Sequence, residues 1–277
     1  MRSARFNSRK KIIVFVRALR QKFVANSKIG RLFKLTWKTN PDIIDILTTA
    51  KCNSMCYDCS QMCRQAPSIE RISTGQVKKF IKESIKANRK WKKIVISGGE
   101  SILEDNCLEI LDLLLEYQKK HNPRVKLVLL TNNRGNKVQE LLKQVPKGIE
   151  VLGSNKTSSF NPSFVSINAA PCDNPKYKNA NYEAGCRLTH DCGGAINKNG
   201  YYVCSTASAI DRVLKLNLAK KSLPEPNEQF LKQRQMLCRY CGYFLHSDNY
   251  LEKGYQSKSW QKTIRAYRGH PNQHKKP

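Results

Sequence analysis

Hydrophobic and polar positions follow two different periods through the middle of the chain. Short continuous apolar runs, typical of strands that are buried on both faces, occur five times. They lie at residues 42–49, 92–100, 124–133, 148–155 and 163–171. Between them, apolar residues recur at helical spacing. This spacing predicts helices at residues 73–90, with Ser73 as the N-cap, and at residues 107–121 and 137–145.

The succession of these segments predicts the fold class. Strands that alternate with helices through short links form parallel βα units. Because the links shorten after the third strand, we expect an α/β fold, a partial (β/α) barrel of about five to six parallel strands. In such folds functional residues collect at the carboxyl ends of the strands, and here those ends are polar or rich in glycine.

The pattern changes after residue 171. Residues 172–250 hold six cysteines and many turn residues, which predicts a small cysteine-rich appendage. Within it, "GGAINKNGYYVC" predicts a hairpin that turns at Asn199-Gly200, and "LPEPNEQFLKQRQML" predicts a helix that leads into "CRYC". The chain is thus divided into an arm (1–41), a barrel (42–171), the appendage (172–250) and a tail (251–277) that we expect to be frayed.

The net charge of +29 is concentrated at the two ends of the chain. Residues 1–41 carry twelve Lys and Arg and no acid, and residues 253–277 carry seven, again with no acid. Such ends are either solvated or bind an anionic partner, which would be a membrane surface, a nucleic acid or an acidic sugar.

The N-terminal arm mixes apolar and basic residues. Its apolar run is too short to span a bilayer and carries no signal-peptide cleavage site. We expect an amphipathic helix that either lies on an anionic membrane surface or packs on the main domain. Both alternatives place the protein in the cytoplasm, with association at the membrane surface in the first.

Eleven cysteines are available for chemistry. An odd number in a cytoplasmic protein favours metal or cluster ligands over disulfides. The clearest group is Cys52-x3-Cys56-x2-Cys59, directly after the first predicted strand. Structural zinc sites use Cys-x2-Cys pairs that come in twos, so this spacing is not typical of zinc.

This motif resembles the hallmark of the radical S-adenosylmethionine (SAM) superfamily, which follows the first strand of a partial barrel. The second marker of that family is a Gly-Gly-Glu-Pro turn, and here Gly98-Gly99-Glu100 is followed by Ser101. The resemblance implies that three thiolates hold a [4Fe–4S] cluster and that SAM binds its fourth iron. The implied ligands are Cys52, Cys56 and Cys59 for the cluster, and Gly98, Gly99, Glu100 and Asn132 for SAM.

Two positions depart from the family pattern. Asp58 precedes the third cysteine, where family members often carry an aromatic residue that contacts adenine. Cys63 is an additional thiol that tunes the cluster or is a bystander, and we favour the bystander. Cys107 lies in a helical pattern and is expected to be a buried apolar residue, whereas Cys172 has no assigned role.

A second group of cysteines lies in the appendage. A hairpin plus a helix with four thiols resembles the twitch domain, the shortened SPASM extension that follows some radical SAM barrels. The resemblance implies an auxiliary [4Fe–4S] cluster on Cys186, Cys204, Cys238 and Cys241. Cys192 is an alternative first ligand, although the distance along the chain from Cys186 to Gly200 fits the family better. A structural zinc site is the competing interpretation.

The resemblance implies a radical SAM oxidoreductase. A twitch domain beside a small barrel is similar to enzymes that dehydrogenate an aminocyclitol alcohol. We therefore expect a sugar-like or cyclitol-like substrate that is oxidised or epimerised, with the auxiliary cluster as electron acceptor. An external donor such as flavodoxin or ferredoxin would supply the reducing electron. No side chain is singled out as catalytic.

Three other functions stay open. The first is maturation of a ribosomal peptide, although residues 1–41 are too few for the leader-binding domain that such enzymes often carry. The second is RNA modification, for which no basic patch with interleaved aromatic residues is found. The third is a zinc-bearing, non-enzymatic protein that binds nucleic acid.

Overall fold

The computed structural model describes residues 35–154, 158, 164–245 and 254–266, together with 28–33 and residues 19, 21, 23 and 25. A six-stranded sheet with the order β4-β3-β2-β1-β5-β6 forms its centre. The strands are β1 (Ile43–Leu47), β2 (Lys93–Ser97), β3 (Lys126–Thr131), β4 (Glu150–Gly153), β5 (Gly194–Asn197) and β6 (Gly200–Tyr202). The first five are mutually parallel, and β6 is antiparallel to β5. The predicted partial (β/α) barrel is confirmed.

Helices connect and cover these strands. They are α1 (Lys28–Leu32), α2 (Thr74–Lys86), α3 (Cys107–His121), α4 (Asn136–Leu142), α5 (Arg187–Asp191), α6 (Ser205–Leu214), α7 (Leu231–Leu237) and α8 (Lys258–Ala266). The N-cap prediction for α2 is confirmed, because the Ser73 hydroxyl accepts from the Gln76 backbone N–H in a reciprocal capping box. Cys107 begins α3 and is fully buried, as predicted.

The main hydrophobic core lies between the sheet and helices α2 and α3. Strand residues such as Ile46, Ile96 and Leu129 pack there with Phe80 and Leu111 of the helices. Because successive side chains of a strand point to opposite faces, the alternate positions of β1 and β2 face the barrel interior. Polar groups at those interior positions are therefore available to a site inside the barrel.

The fifth predicted strand, at residues 163–171, is wrong for the described residues 164–171, which form no strand. The Ile167 carbonyl accepts from Gly242 N–H, and the Asn168 carbonyl accepts from Ser257 N–H. These carbonyls are thus used by the appendage and the C-terminal segment. The fifth parallel strand is instead β5, which pairs with β1.

The predicted hairpin in the appendage is confirmed, but its turn lies one residue earlier. Asn197 pairs with Gly200, so the two-residue loop is residues 198–199. A Cβ at Gly200 would lie 2.1 Å from the Lys220 carbonyl oxygen, and its φ is 130°, so packing and backbone conformation both require a glycine here. The hairpin extends the barrel sheet, which therefore crosses the predicted boundary at residue 171.

The described part of the N-terminal arm packs against the appendage. The Gln21 side-chain amide donates to the carbonyls of Gly185 (3.2 Å) and Phe244 (3.3 Å). The Ala25 carbonyl accepts from Asn181 N–H at 2.9 Å. These contacts agree with the packed alternative for this segment, whereas residues 1–18 lie outside the described part. Within the described residues, no helix is both long and apolar enough to cross a membrane.

The prediction of a frayed tail is wrong for residues 254–266. Helix α8 places Trp260 in a second core, fully buried, with its indole N–H donating to the Tyr240 carbonyl at 2.8 Å. Ser259 bonds to the Asp173 carboxylate through both its backbone N–H (2.8 Å) and its hydroxyl (2.6 Å). The C-terminal helix is therefore part of the folded appendage.

Candidate cluster sites

The loop that carries the first cysteines is held against the turn that follows β2. Gly99 N–H donates to the Thr49 carbonyl and Glu100 N–H to the Lys51 carbonyl, both at 2.8 Å. A Cβ at Gly98 would lie 2.5 Å from the Thr49 carbonyl oxygen, and one at Gly99 would lie 1.9 Å from that of Lys51. Both glycines are thus required by the approach of two backbones, and their contact with SAM stays a prediction.

This close approach predicts a large stability difference between two glycine-to-alanine variants. Gly99→Ala should lower the free energy of unfolding by about 2–3 kcal/mol, because its Cβ meets backbone that must shift. Gly75→Ala is the matched control, since its Cβ meets only the Ser73 hydroxyl at 3.7 Å near the start of α2. It should be neutral or stabilise by about 0.5 kcal/mol. Chemical denaturation followed by circular dichroism checks both, and equal stabilities would contradict the packing described.

Glu100 and Asn132 fix the position of the same loop. The Glu100 carboxylate is fully buried and accepts from the Thr131 hydroxyl (2.8 Å) and from Asn132 N–H (2.7 Å). The Asn132 amide then donates to the Asn53 side chain at 2.7 Å and lies 3.8 Å from the Cys52 Sγ. The two residues therefore connect the ends of β2 and β3 to the first cysteine.

The thiols of Cys52, Cys59 and Cys63 come together. A hydrogen bond from the Cys63 thiol is the main cause that lowers the pKa of Cys52. The pKa of Cys63 is raised by its hydrogen bonds to Cys52 and Cys59 and by burial. Cys56 is buried on the same loop. Cys63, which the sequence analysis favours as a bystander, thus contacts two of the three predicted ligands.

Asp58 has a structural role that the sequence does not indicate. Its backbone adopts a left-handed conformation with φ of 56°, and its carboxylate accepts from Gly254 N–H at 3.2 Å. Burial raises the pKa of this carboxyl. Beside it, the Arg64 guanidinium lies 4.4 Å from the centre of the Tyr57 ring. Asp58 therefore ties the cysteine loop to the C-terminal segment.

The four predicted auxiliary ligands line one buried cavity. Apolar side chains from α6, α7 and the loop after α7 complete its wall, among them Ile210, Leu237 and Phe244. The four thiols are those of Cys186, Cys204, Cys238 and Cys241, and each of them is buried. Cys192 is exposed and is not among the lining residues, so the structure brings Cys186 and not Cys192 to this cavity.

Local structure positions these thiols. Cys186 and Cys204 are the N-caps of α5 and α6, and the Cys204 sulfur accepts from Ala207 N–H at 3.4 Å. Burial raises the pKa of Cys204 to about 12 and raises that of Cys241 well above its usual range. Such thiols lose their protons when a metal binds and compensates the cost of the buried charge.

The ligand atoms that line this cavity indicate which metal or cluster it can hold. Its lining contains four thiols and no carboxylate or imidazole. Four buried thiols in an apolar cavity are a donor set of both [4Fe–4S] clusters and structural zinc. In the described part of the chain, no three His, Cys, Asp or Glu side chains converge at the distances that a single ion requires. The four thiols therefore fit an iron–sulfur cluster, and the iron and zinc contents of the protein distinguish it from structural zinc.

Asp45 is a buried acid that the sequence interpretation missed. It lies in β1, and its carboxylate accepts from the Ser97 hydroxyl at 2.6 Å and from Ser205. Burial raises the pKa of Asp45 to about 6. Because Ser97 precedes the Gly98 turn and Ser205 follows Cys204, this carboxylate lies between the two cysteine groups. In the sequence, one acidic residue within an apolar run does not indicate a functional site.

Comparison with protein families finds a match for the barrel segment. Residues 45–159 match the family described as a 4Fe-4S single cluster domain. The matched segment runs from β1 past β4 and contains both the Cys52–Cys59 loop and the Gly98 turn. The match supports a [4Fe–4S] cluster in this segment and agrees with the radical SAM resemblance of its motifs. The match ends before the appendage.

No curated protein matches the chain. Solved structures that are similar to it include two of BtrN. The crystal structure of BtrN in complex with AdoMet and 2-DOIA is 12% identical, with a TM-score of 0.41, over 72% of this chain and 87% of that chain. The crystal structure of selenomethionine BtrN in an open conformation is 13% identical, with a TM-score of 0.38, over 79% and 96%.

Proposed function

We propose that this protein is a radical SAM oxidoreductase that oxidises a sugar-like or cyclitol-like substrate and uses an auxiliary [4Fe–4S] cluster as electron acceptor. The observation that supports this most is the buried cavity lined by four cysteines outside the matched family segment. A superfamily member that only cleaves SAM has no need of a second set of four thiols. A second redox centre is needed when the substrate must lose an electron as well as a hydrogen atom.

The residues of the first site hold and shape the reaction centre. When bound, the cluster and SAM together supply a 5′-deoxyadenosyl radical that abstracts a hydrogen atom from the substrate. Cys52, Cys56 and Cys59 are the thiols proposed to hold the cluster. Glu100 and Asn132 keep their loop against the ends of β2 and β3 through the hydrogen bonds described above. This rigid frame keeps the site in one geometry.

Oxidation of a carbinol to a carbonyl removes two hydrogens. One leaves as a hydrogen atom from carbon, and the remainder leaves as a proton from oxygen and one electron. Asp45 is suited to accept the proton, because a carboxyl with a pKa of about 6 is mostly ionised at pH 7. Its partner Ser205 is adjacent to Cys204, so the proton acceptor lies beside the site proposed to accept the electron.

A label-transfer experiment tests the proposed reaction. The anaerobic protein, loaded with iron and sulfide, would be given dithionite, SAM and cyclitols or sugars deuterated at one carbinol carbon. We expect deuterium in 5′-deoxyadenosine from one of these positions, and none when the same compound is deuterated at a neighbouring carbon. Mass spectrometry of 5′-deoxyadenosine is the measurement. Label arriving from a deuterated peptide, and from no carbohydrate, would favour the peptide maturase and contradict the proposal.

A further inference from the structure

Arg234 is a fully buried arginine next to the auxiliary cysteines. It lies in α7, and Cys238 is the C-cap of that helix. Because the two residues are four positions apart, their side chains lie on the same side of the helix. Its guanidinium donates to the Glu183 carbonyl (3.2 Å), the Thr39 hydroxyl (2.7 Å) and the Gln229 amide oxygen (3.5 Å). All three acceptors are neutral, so the hydrogen bonds orient the side chain and leave its charge uncompensated.

A buried charge without a counter-charge is costly to a fold. In the described part of the chain, Arg234 forms no ion pair with a carboxylate. Burial lowers the pKa of Arg234, and negative charge on the sulfurs of Cys238 and Cys186 would act against this most strongly. The Glu228 carboxylate acts least and is paired with Lys220. We therefore expect the counter-charge for Arg234 to come from the thiolates of the auxiliary cysteines.

One donor of Arg234 is unused. Its Nε–H is buried and has no hydrogen-bond partner among the described residues. A Cβ at Gly185 would lie 3.3 Å from Nη1 and 3.5 Å from Nε, and Gly185 has a φ of 65°. Gly185 directly precedes Cys186, so a glycine lets the backbone that carries this ligand lie against the guanidinium. The unpartnered N–H therefore lies beside the chain segment of an auxiliary ligand.

We propose that Arg234 is a positioning residue that supplies the counter-charge to the auxiliary cluster from behind the wall of its cavity and thereby raises its reduction potential. The inference rests on the proposed function, because it requires that cluster. Four thiolates around an iron–sulfur core carry net negative charge, and each added electron increases it. A nearby cation stabilises the reduced form, which favours acceptance of an electron.

The test isolates the auxiliary cluster in a Cys52→Ala/Cys56→Ala background. Arg234→Met removes the charge at similar length, Arg234→Lys keeps it, and Lys232→Met removes a positive charge from the exposed face of the same helix. The potential of each variant is measured by titration followed by electron paramagnetic resonance. We expect Arg234→Met to lose at least tenfold in the equilibrium constant for reduction, or about 59 mV for one electron. Arg234→Lys should lose less, and Lys232→Met should change little.

Each outcome decides between the alternatives. Equal potentials for Arg234→Met and the parent overturn the proposal. If Arg234→Met folds, as judged by circular dichroism, but holds no iron while Arg234→Lys does, the counter-charge role is supported through assembly. If both Arg234 variants unfold alike, the residue has only a structural role and the proposal fails. A parent that holds no iron at all contradicts the proposed function instead, so the two failures are distinguishable.

Discussion

Replacing Cys52 and Cys56 together by alanine should remove about half of the iron and abolish SAM cleavage. A [4Fe–4S] cluster on this loop needs three thiolates, and the remaining pair of Cys59 and Cys63 cannot replace them. Iron per chain and the yield of 5′-deoxyadenosine are the two measurements. The proposed auxiliary cluster should survive, because its cavity uses thiols from another part of the chain.

Cys192→Ala is the matched control for this double variant. Its thiol is exposed and does not line the auxiliary cavity, so full iron content and full SAM cleavage are expected. If the double variant still produces 5′-deoxyadenosine, the assignment of the first cysteine loop to SAM cleavage is wrong. If Cys192→Ala loses iron, Cys192 and not Cys186 belongs to the auxiliary site.

Replacing Cys204 and Cys238 together by alanine should stop formation of the oxidised product but leave SAM cleavage intact. We expect about half of the iron to be lost, whereas SAM is still cleaved to 5′-deoxyadenosine. Oxidised product should disappear, because the substrate radical has no acceptor for its electron. Mass spectrometry of product and of 5′-deoxyadenosine in the same sample measures both. Full product formation without the auxiliary thiols would contradict the proposed role of that cluster.

The barrel strands and their helices were predictable because local pattern and packing agree there. Strands β1 to β3 are short, mainly apolar runs that contribute to the core, and α3 matches the predicted residues, since its apolar period fits the core that it covers. The segment at 163–171 looks the same in sequence. Its carbonyls bond to Gly242 and Ser257, contacts that no local pattern reveals. For the same reason, the pairing of β5 with β1 was not predictable.

The cysteines that the structure brings together were predictable from their spacing, and their role as ligands stays a prediction. Helix α6, directly after Cys204, was missed because its first turns are rich in Ser, Thr and Ala and show no apolar stripe. Asp45 and Arg234 were missed for a different reason. A single charged residue in a strand or helix pattern is typical of a solvated position, and its burial depends on distant contacts. The residues that surround the clusters therefore required the structure.

Iron and zinc per chain in protein purified without oxygen test the central claim most directly. Two [4Fe–4S] clusters predict about eight irons, with about four left in each of the two double-cysteine variants. About two zincs and no iron would contradict the account and favour a structural zinc protein. About four irons that are unaffected by Cys204→Ala/Cys238→Ala would keep the radical SAM site and disprove the auxiliary cluster.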